Sequence, residues 1–145
     1  MQSPQLIKVS GHQVSDPDFL SGFAAAIASQ SQPTVVVHGG GKEISELQER
    51  TGIVPQYVDG VRVTDLESLH LVEMVLCGAV NKRIVRYFVD GGLDALGLSG
   101  VDRGLIRARR MEHEAVDMAF TGEPVAVRAE VLHAPGTDQA AINAT

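Results

Sequence analysis

Hydrophobic and polar positions along the chain fall into short segments with different periods. Residues 6–9 form an apolar run broken by Lys8 and ended by Ser10-Gly11, which predicts a strand. Phe19, Leu20, Phe23, Ala26 and Ile27 then recur at helical spacing and predict a helix of about twelve residues. Ser15-Asp16-Pro17 opens it, with a side chain able to cap and a proline where a missing N–H is harmless. Thr34-Val35-Val36-Val37 is β-branched without alternation, the pattern of a strand buried on both faces. It runs into His38-Gly39-Gly40-Gly41, after which Ile44, Leu47 and Gln48 mark a helix up to Gly52.

The second half of the pattern is less uniform. Residues 56–63 alternate around Asp59-Gly60, a hairpin signal because the turn needs positive φ. Thr64-Asp65-Leu66-Glu67 has the spacing of a capping box, with Thr64 as the cap. Leu66, Leu69, Val72, Leu76, Val80, Ile84 and Phe88 carry one apolar stripe to Gly91-Gly92, with Gly78 placed to bend or split it. Residues 93–98 predict a third core strand, and 105–109 with 125–127 a peripheral hairpin or meander. From Ala134 the pattern fades, so the chain divides into a lobe over 1–133 and a weakly structured end over 134–145. Strand–turn–helix units in this order predict an α/β fold with a parallel sheet and right-handed crossovers.

Composition narrows this picture. A chain of 145 residues that is 44% hydrophobic and 21% charged is one domain with a core, not a disordered polar chain. Trp is absent and aromatics are 4%, so aliphatic side chains must fill that core. A formal charge of −6 disfavours a nucleic-acid partner. The single Cys excludes an internal disulfide and a cysteine-based metal site and fits a reducing interior. No apolar run reaches the ~18–20 residues of a membrane span, and the N-terminus lacks a signal-peptide pattern. A cytoplasmic protein without a membrane partner is expected.

Three features carry candidate chemistry. Consecutive glycines at 39–41, between a buried strand and a helix, expose N–H groups that favour a carboxylate or phosphate. The same glycines also serve a tight turn with no ligand. The segment is neither a Walker loop nor a GxGxxG fingerprint. Lys8, just before Ser10-Gly11, stands at the strand end where ligands collect in parallel sheets, or is a plain edge-strand lysine. Arg62, after the Asp59-Gly60 turn, is placed to clamp a carboxylate bidentately or to cover a hairpin surface. The five histidines show no metal-ligand spacing, so no metal-ligating residue is assigned. Cys77 reads as a small core residue, and Arg107, Arg109 and Arg110, near Glu112 and Glu114, as a solvated face.

Taken together, the segments resemble the N-terminal half of the acetylglutamate kinases, within the amino acid kinase family. The resemblance rests on Ile7-Lys8-Val9-Ser10-Gly11, on residues 35–41, and on Asp59-Gly60-Val61-Arg62-Val63-Thr64-Asp65. It continues through residues 72–78, Val80-Asn81-Lys82 and Gly97-Leu98-Ser99-Gly100-Val101-Asp102. It implies a three-layer αβα sandwich around a mainly parallel central sheet. It also implies transfer of the ATP γ-phosphoryl group, with Mg²⁺, to the side-chain carboxylate of N-acetyl-L-glutamate in arginine biosynthesis, and a homodimer. By this resemblance Gly40 and Gly41 bind substrate through N–H groups, and Arg62 clamps its α-carboxylate. Lys8 would stabilise the transferring phosphoryl group, with Gly11 in the phosphate turn. Asn81-Lys82 and residues 99–102 take structural roles. Ser10 departs from the family's first glycine, and Ala141 and Thr145 replace its later functional Asn and Asp. The chain ends where the resemblance places the nucleotide-binding half. A non-catalytic module that keeps the amino-acid site is the alternative.

Overall fold

The structure, a computed structural model, describes residues 3–128 and, as backbone, Gln139–Asn143. Four parallel strands form the central sheet: β1 (Gln5–Val9), β2 (Thr34–His38), β5 (Ala95–Leu98) and β8 (Gln139–Asn143), in the order β1-β2-β8-β5. The intervening elements are α1 (Pro17–Ala28), α2 (Gly41–Thr51), the hairpin β3 (Gln56–Val58) and β4 (Val61–Val63), then α3 (Leu66–Glu73) and α4 (Asn81–Asp90). A second ribbon, β6 (Ile106–Arg110) against β7 (Gly122–Val127), is antiparallel.

Steps from β1 to β2 and from β2 to β5 run the same way across the sheet. Right-handed crossovers then place both connections on one face. The core agrees: Val9 and Val36 pack there with Leu20, Ile27, Val80, Ile84 and Phe88. On the other face Val35 packs with Leu105, Leu98 and Ile106, while Leu6 and Leu96 are exposed. No helix among the described residues is long and apolar enough to cross a membrane.

Local chemistry explains most element boundaries. Asp16 caps α1, accepting from Asp18 N at 2.9 Å and Phe19 N at 3.3 Å, with Pro17 at the first helical position. Gly52 closes α2 at φ 78°, where a Cβ would be strained. Asp59 and Gly60 both take positive φ in the β3–β4 turn.

Several expectations are corrected. The cap of α3 is Asp65, which accepts from Ser68 N at 2.7 Å, not Thr64. Thr64 is taken by the 119–121 segment: its N–H donates to Thr121 Oγ1 at 3.2 Å and its carbonyl accepts from Phe120 N at 2.8 Å. The long stripe is interrupted around Gly78, as its position allows, but by a π-helical stretch, Met74–Val80, between α3 and α4. Buried Leu76 and Val80 of this stretch continue into buried Ile84 and Phe88 of α4. The third strand starts at Ala95, not Leu93, because Leu93 N still closes α4 on Phe88 O at 2.9 Å beside Gly92 at φ 84°. The largest correction is at the C-terminal end, where a strand was not expected. β8 runs through Gln139–Asn143 and fills the slot between β2 and β5. Its Ala-rich sequence carries no strand signal, and pairing on both edges overrides propensity. Pro135-Gly136-Thr137-Asp138, Ala144 and Thr145 lie outside the described residues.

Candidate functional site

Parallel pairing puts the C-terminal ends of β1 and β2 side by side, Lys8 opposite Val37 and Val9 opposite His38. The turns that follow therefore meet. A Cβ on Gly11 would stand 3.1 Å from Gly40 N and 3.3 Å from Gly40 Cα, so any larger residue would crowd this approach of two bare backbones. Gly40 is itself pressed from below, where a Cβ would lie 2.6 Å from Leu76 Cδ2 and 3.2 Å from Val80 Cγ2. Gly41 is exposed and starts α2, whose N-terminus has no side-chain cap. Its first-turn N–H groups and the helix dipole favour an anion at this spot.

Arg62 reaches the same helix from β4. Its Nη1 donates to Gln48 Oε1, and its Nη2 donates to Ser45 Oγ at 3.0 Å. Ser45 in turn donates to Gly41 O at 3.0 Å, which links the guanidinium through one hydroxyl to the start of α2. The Tyr57 ring covers one face of the guanidinium, 4.8 Å from ring centroid to Cζ. Thr121 Oγ1 donates to Arg62 O at 2.7 Å and fixes the backbone that carries it. Among the described residues no carboxylate pairs with this half-buried cation. By contrast, Arg83, Arg109 and Arg110 pair with Glu43, Glu123 and Asp117.

A second network braces the glycine turns. Arg83 grips Glu43 through Nη1–Oε1 at 2.7 Å and Nη2–Oε2 at 2.9 Å, and also donates to Val14 O at 3.0 Å. Ser15 Oγ donates to Glu43 at 2.9 Å. These contacts tie the segment after Gly11 to the first turn of α2. Bonding to Arg83 holds the Glu43 carboxyl below its ordinary pKa against the opposing effect of burial, and raises that of Arg83.

At the end of β5, Asn81 Nδ2 donates to Leu98 O at 3.3 Å and Lys82 Nζ to Gly97 O at 3.2 Å. Asp102 accepts from both Ser99 N at 2.6 Å and Ser99 Oγ at 2.8 Å. A cavity of about 230 Å³ lies here, lined by Asn81, Lys82, Ser99, Asp102 and Cys77. Cys77 is half-buried on its wall and not a core residue, because the π-helical turn rotates it off the packed stripe.

The structure brings Gly11, Gly40 and Gly41 together and sets Arg62 beside them. Lys8 is exposed, on the face of β1 opposite the core residues Ile7 and Val9, and its Nζ meets no hydrogen-bond or ion-pair partner among the described residues. The Ser10 hydroxyl donates to Gln13 Oε1 at 3.0 Å. Arg109 and Arg110 are solvated as expected; Arg109 pairs with Glu123 opposite it on β7, and Arg110 with Asp117 in the connection before β7. Ser45, Gln48, Ser68 and Thr121 around Arg62 are not marked by sequence reasoning. The available signal was Gln48, a polar residue on the inward stripe of α2 four positions after Ile44.

The model of the amino acid kinase family matches residues 4–136. An acetylglutamate kinase of Roseiflexus castenholzii is 48% identical over 132 residues, covering 91% of this chain and 51% of that protein. One from Roseiflexus sp. (strain RS-1) is 50% identical over 127 residues, covering 88% and 49%. N-acetylglutamate synthase from Neisseria gonorrhoeae, solved with coenzyme A and N-acetyl-glutamate, shares the fold at TM-score 0.78 and 19% identity, covering 97% of this chain and 33% of that one. The chain spans about half the length of the curated relatives it matches.

Proposed function

The chain belongs to the amino acid kinase family, and on that premise we propose that it forms the N-acetyl-L-glutamate-binding lobe of an acetylglutamate kinase. One observation carries this reading: a half-buried guanidinium with only neutral partners is held on α2, the helix that starts from a turn of bare glycine backbone. A substrate with two carboxylates would offer one to each. Arg62 would take the α-carboxylate, and the Gly40 and Gly41 N–H groups would hold the side-chain end.

The nucleophile, a side-chain carboxylate with an intrinsic pKa of about 4.3, is ionised at neutral pH and needs no general base. What the protein must supply is alignment and positive potential around the phosphoryl oxygens. The close approach of Gly11 to Gly40 brings the backbone N–H groups of two turns to one place, which favours phosphate oxygens nearby. The nucleotide, when bound, supplies the γ-phosphoryl group. Gly11 would line its phosphate turn, and Lys8, at the same sheet end, would offset the developing charge. Among the described residues no group of three or more His, Cys, Asp or Glu is arranged to hold a metal. Mg²⁺ would enter on the nucleotide phosphates. The expected homodimer, and the cytoplasmic location expected from composition, belong to the same proposal.

Acyl phosphate formation from ATP and N-acetyl-L-glutamate, trapped as a hydroxamate, tests the reading, with the chain alone and with the C-terminal half of a relative supplied. Product that falls at least tenfold in Lys8→Ala is the expected result. No product under either condition contradicts a kinase role, and substrate binding without turnover would identify a non-catalytic module.

A further inference from the structure

The partners of Arg62 share a property beyond proximity: none carries charge. Gln48 is fully buried on the inward stripe of α2, where Ile44 and Leu47 are apolar. Packing alone would be met by leucine there, and burying an amide is unfavourable unless both its polar ends are bonded. Both are. Oε1 accepts from Arg62 Nη1, and Nε2 donates to Ser68 Oγ at 3.0 Å, on a serine whose backbone N–H is held by Asp65 at α3's cap. The amide is thereby fixed in one orientation, acceptor towards β4.

A neutral acceptor at this place does something a carboxylate would not. It aims the guanidinium while leaving its charge for a ligand. Of the five N–H donors of an arginine, two are spent, on Gln48 and Ser45. Three N–H donors remain for a planar anion. We propose that Gln48, seated on Ser68, is the positioning residue that presents Arg62 to the substrate's α-carboxylate and so sets the preference for an acid over its neutral amide. The inference rests on the N-acetyl-L-glutamate reading above.

The test is calorimetric titration of the full 145-residue chain with N-acetyl-L-glutamate and with its α-carboxamide counterpart, alongside thermal melts. Wild type is expected to prefer the carboxylate. Gln48→Met keeps length and volume but removes the acceptor, and lowers that preference by about 10-fold, equivalent to ~1.4 kcal/mol, while the melting temperature moves only a few degrees. Gln48→Glu keeps an acceptor for Arg62 but neutralises it, and abolishes or reverses the preference. It also carries the test if Gln48→Met does not fold. A general loss of stability would weaken both ligands alike, so the ratio isolates positioning. Wild-type preference retained in the folded variants overturns the role of Gln48 and leaves the substrate reading intact. Wild type that binds both ligands equally, or neither, takes down that reading and this inference together.

Discussion

Replacing Arg83 with methionine isolates the brace behind the glycine turns. The side chain keeps an aliphatic stem and loses the guanidinium. Glu43 is then left with the Ser15 hydroxyl and only the weaker field of Lys42. The side chains of the pair are 26% and 17% exposed, so it lies nearer the buried limit than the surface one. Breaking a buried pair by removing one partner costs about 3–5 kcal/mol, and exposed pairs contribute about 0–1 kcal/mol. Interpolating, and counting the lost bond to Val14 O, gives a destabilisation of about 3 kcal/mol, or roughly 10 °C for a domain of this size. The pH dependence adds a second constraint. The folded pKa of Glu43 is depressed, chiefly by Arg83. Its contribution is therefore fully present above the ordinary value of 4.5 and is lost as pH falls through the folded one. Asp65 and Asp117 are depressed too, but by groups that the substitution leaves in place, so they cancel in the difference. Urea unfolding followed by circular dichroism should show the full gap at pH 7 and a narrowing gap below about pH 4.5. Equal stabilities at pH 7, or a gap unchanged by acid, would refute the reasoning.

Three further substitutions probe the frame. Gly40→Ala drives a Cβ into Leu76 and Val80, and should cost about 1–3 kcal/mol in thermal melts and weaken N-acetyl-L-glutamate binding by displacing the turn. Gly22→Ala, in α1 with nothing within 4 Å of the new methyl, should instead stabilise by about 0.4–1 kcal/mol, seen as a higher urea midpoint. Asp16→Ala removes the acceptor for Asp18 N and Phe19 N and should lose about 1 kcal/mol, with Asp16→Asn retaining most of it.

What the sequence discloses depends on whether a feature is local. The Asp16-Pro17 start, the Asp59-Gly60 turn and the β-branched run before Gly39 each carry their own backbone chemistry and are read directly. The strand at Gln139–Asn143 has no such chemistry. It is a strand because β2 and β5 leave one slot between them, a fact of topology that no window of residues contains. The π-helical stretch lies between these cases: Gly78 marks an interruption in the stripe, but a spacing of four along Leu76, Val80, Ile84 and Phe88 is equally α-helical. The site divides in the same way. Glycine runs and Arg62 stand out by residue type, whereas Gln48, Ser68 and Thr121 are ordinary residues given meaning by partners 14 to 59 positions away. Lys8 is legible as a lysine in a strand, and its exposure follows from alternation with Ile7 and Val9.

The central claim is that one site, built from the Gly40–Gly41 turn and Arg62, receives N-acetyl-L-glutamate. Titrating the isotopically labelled chain with this ligand and following backbone amide resonances tests it directly. The account predicts saturable shifts concentrated at Gly40, Gly41 and the Arg62 side chain, and their loss in Arg62→Ala. Shifts confined to the β6–β7 ribbon, or no saturable shifts at the glycines, would contradict it.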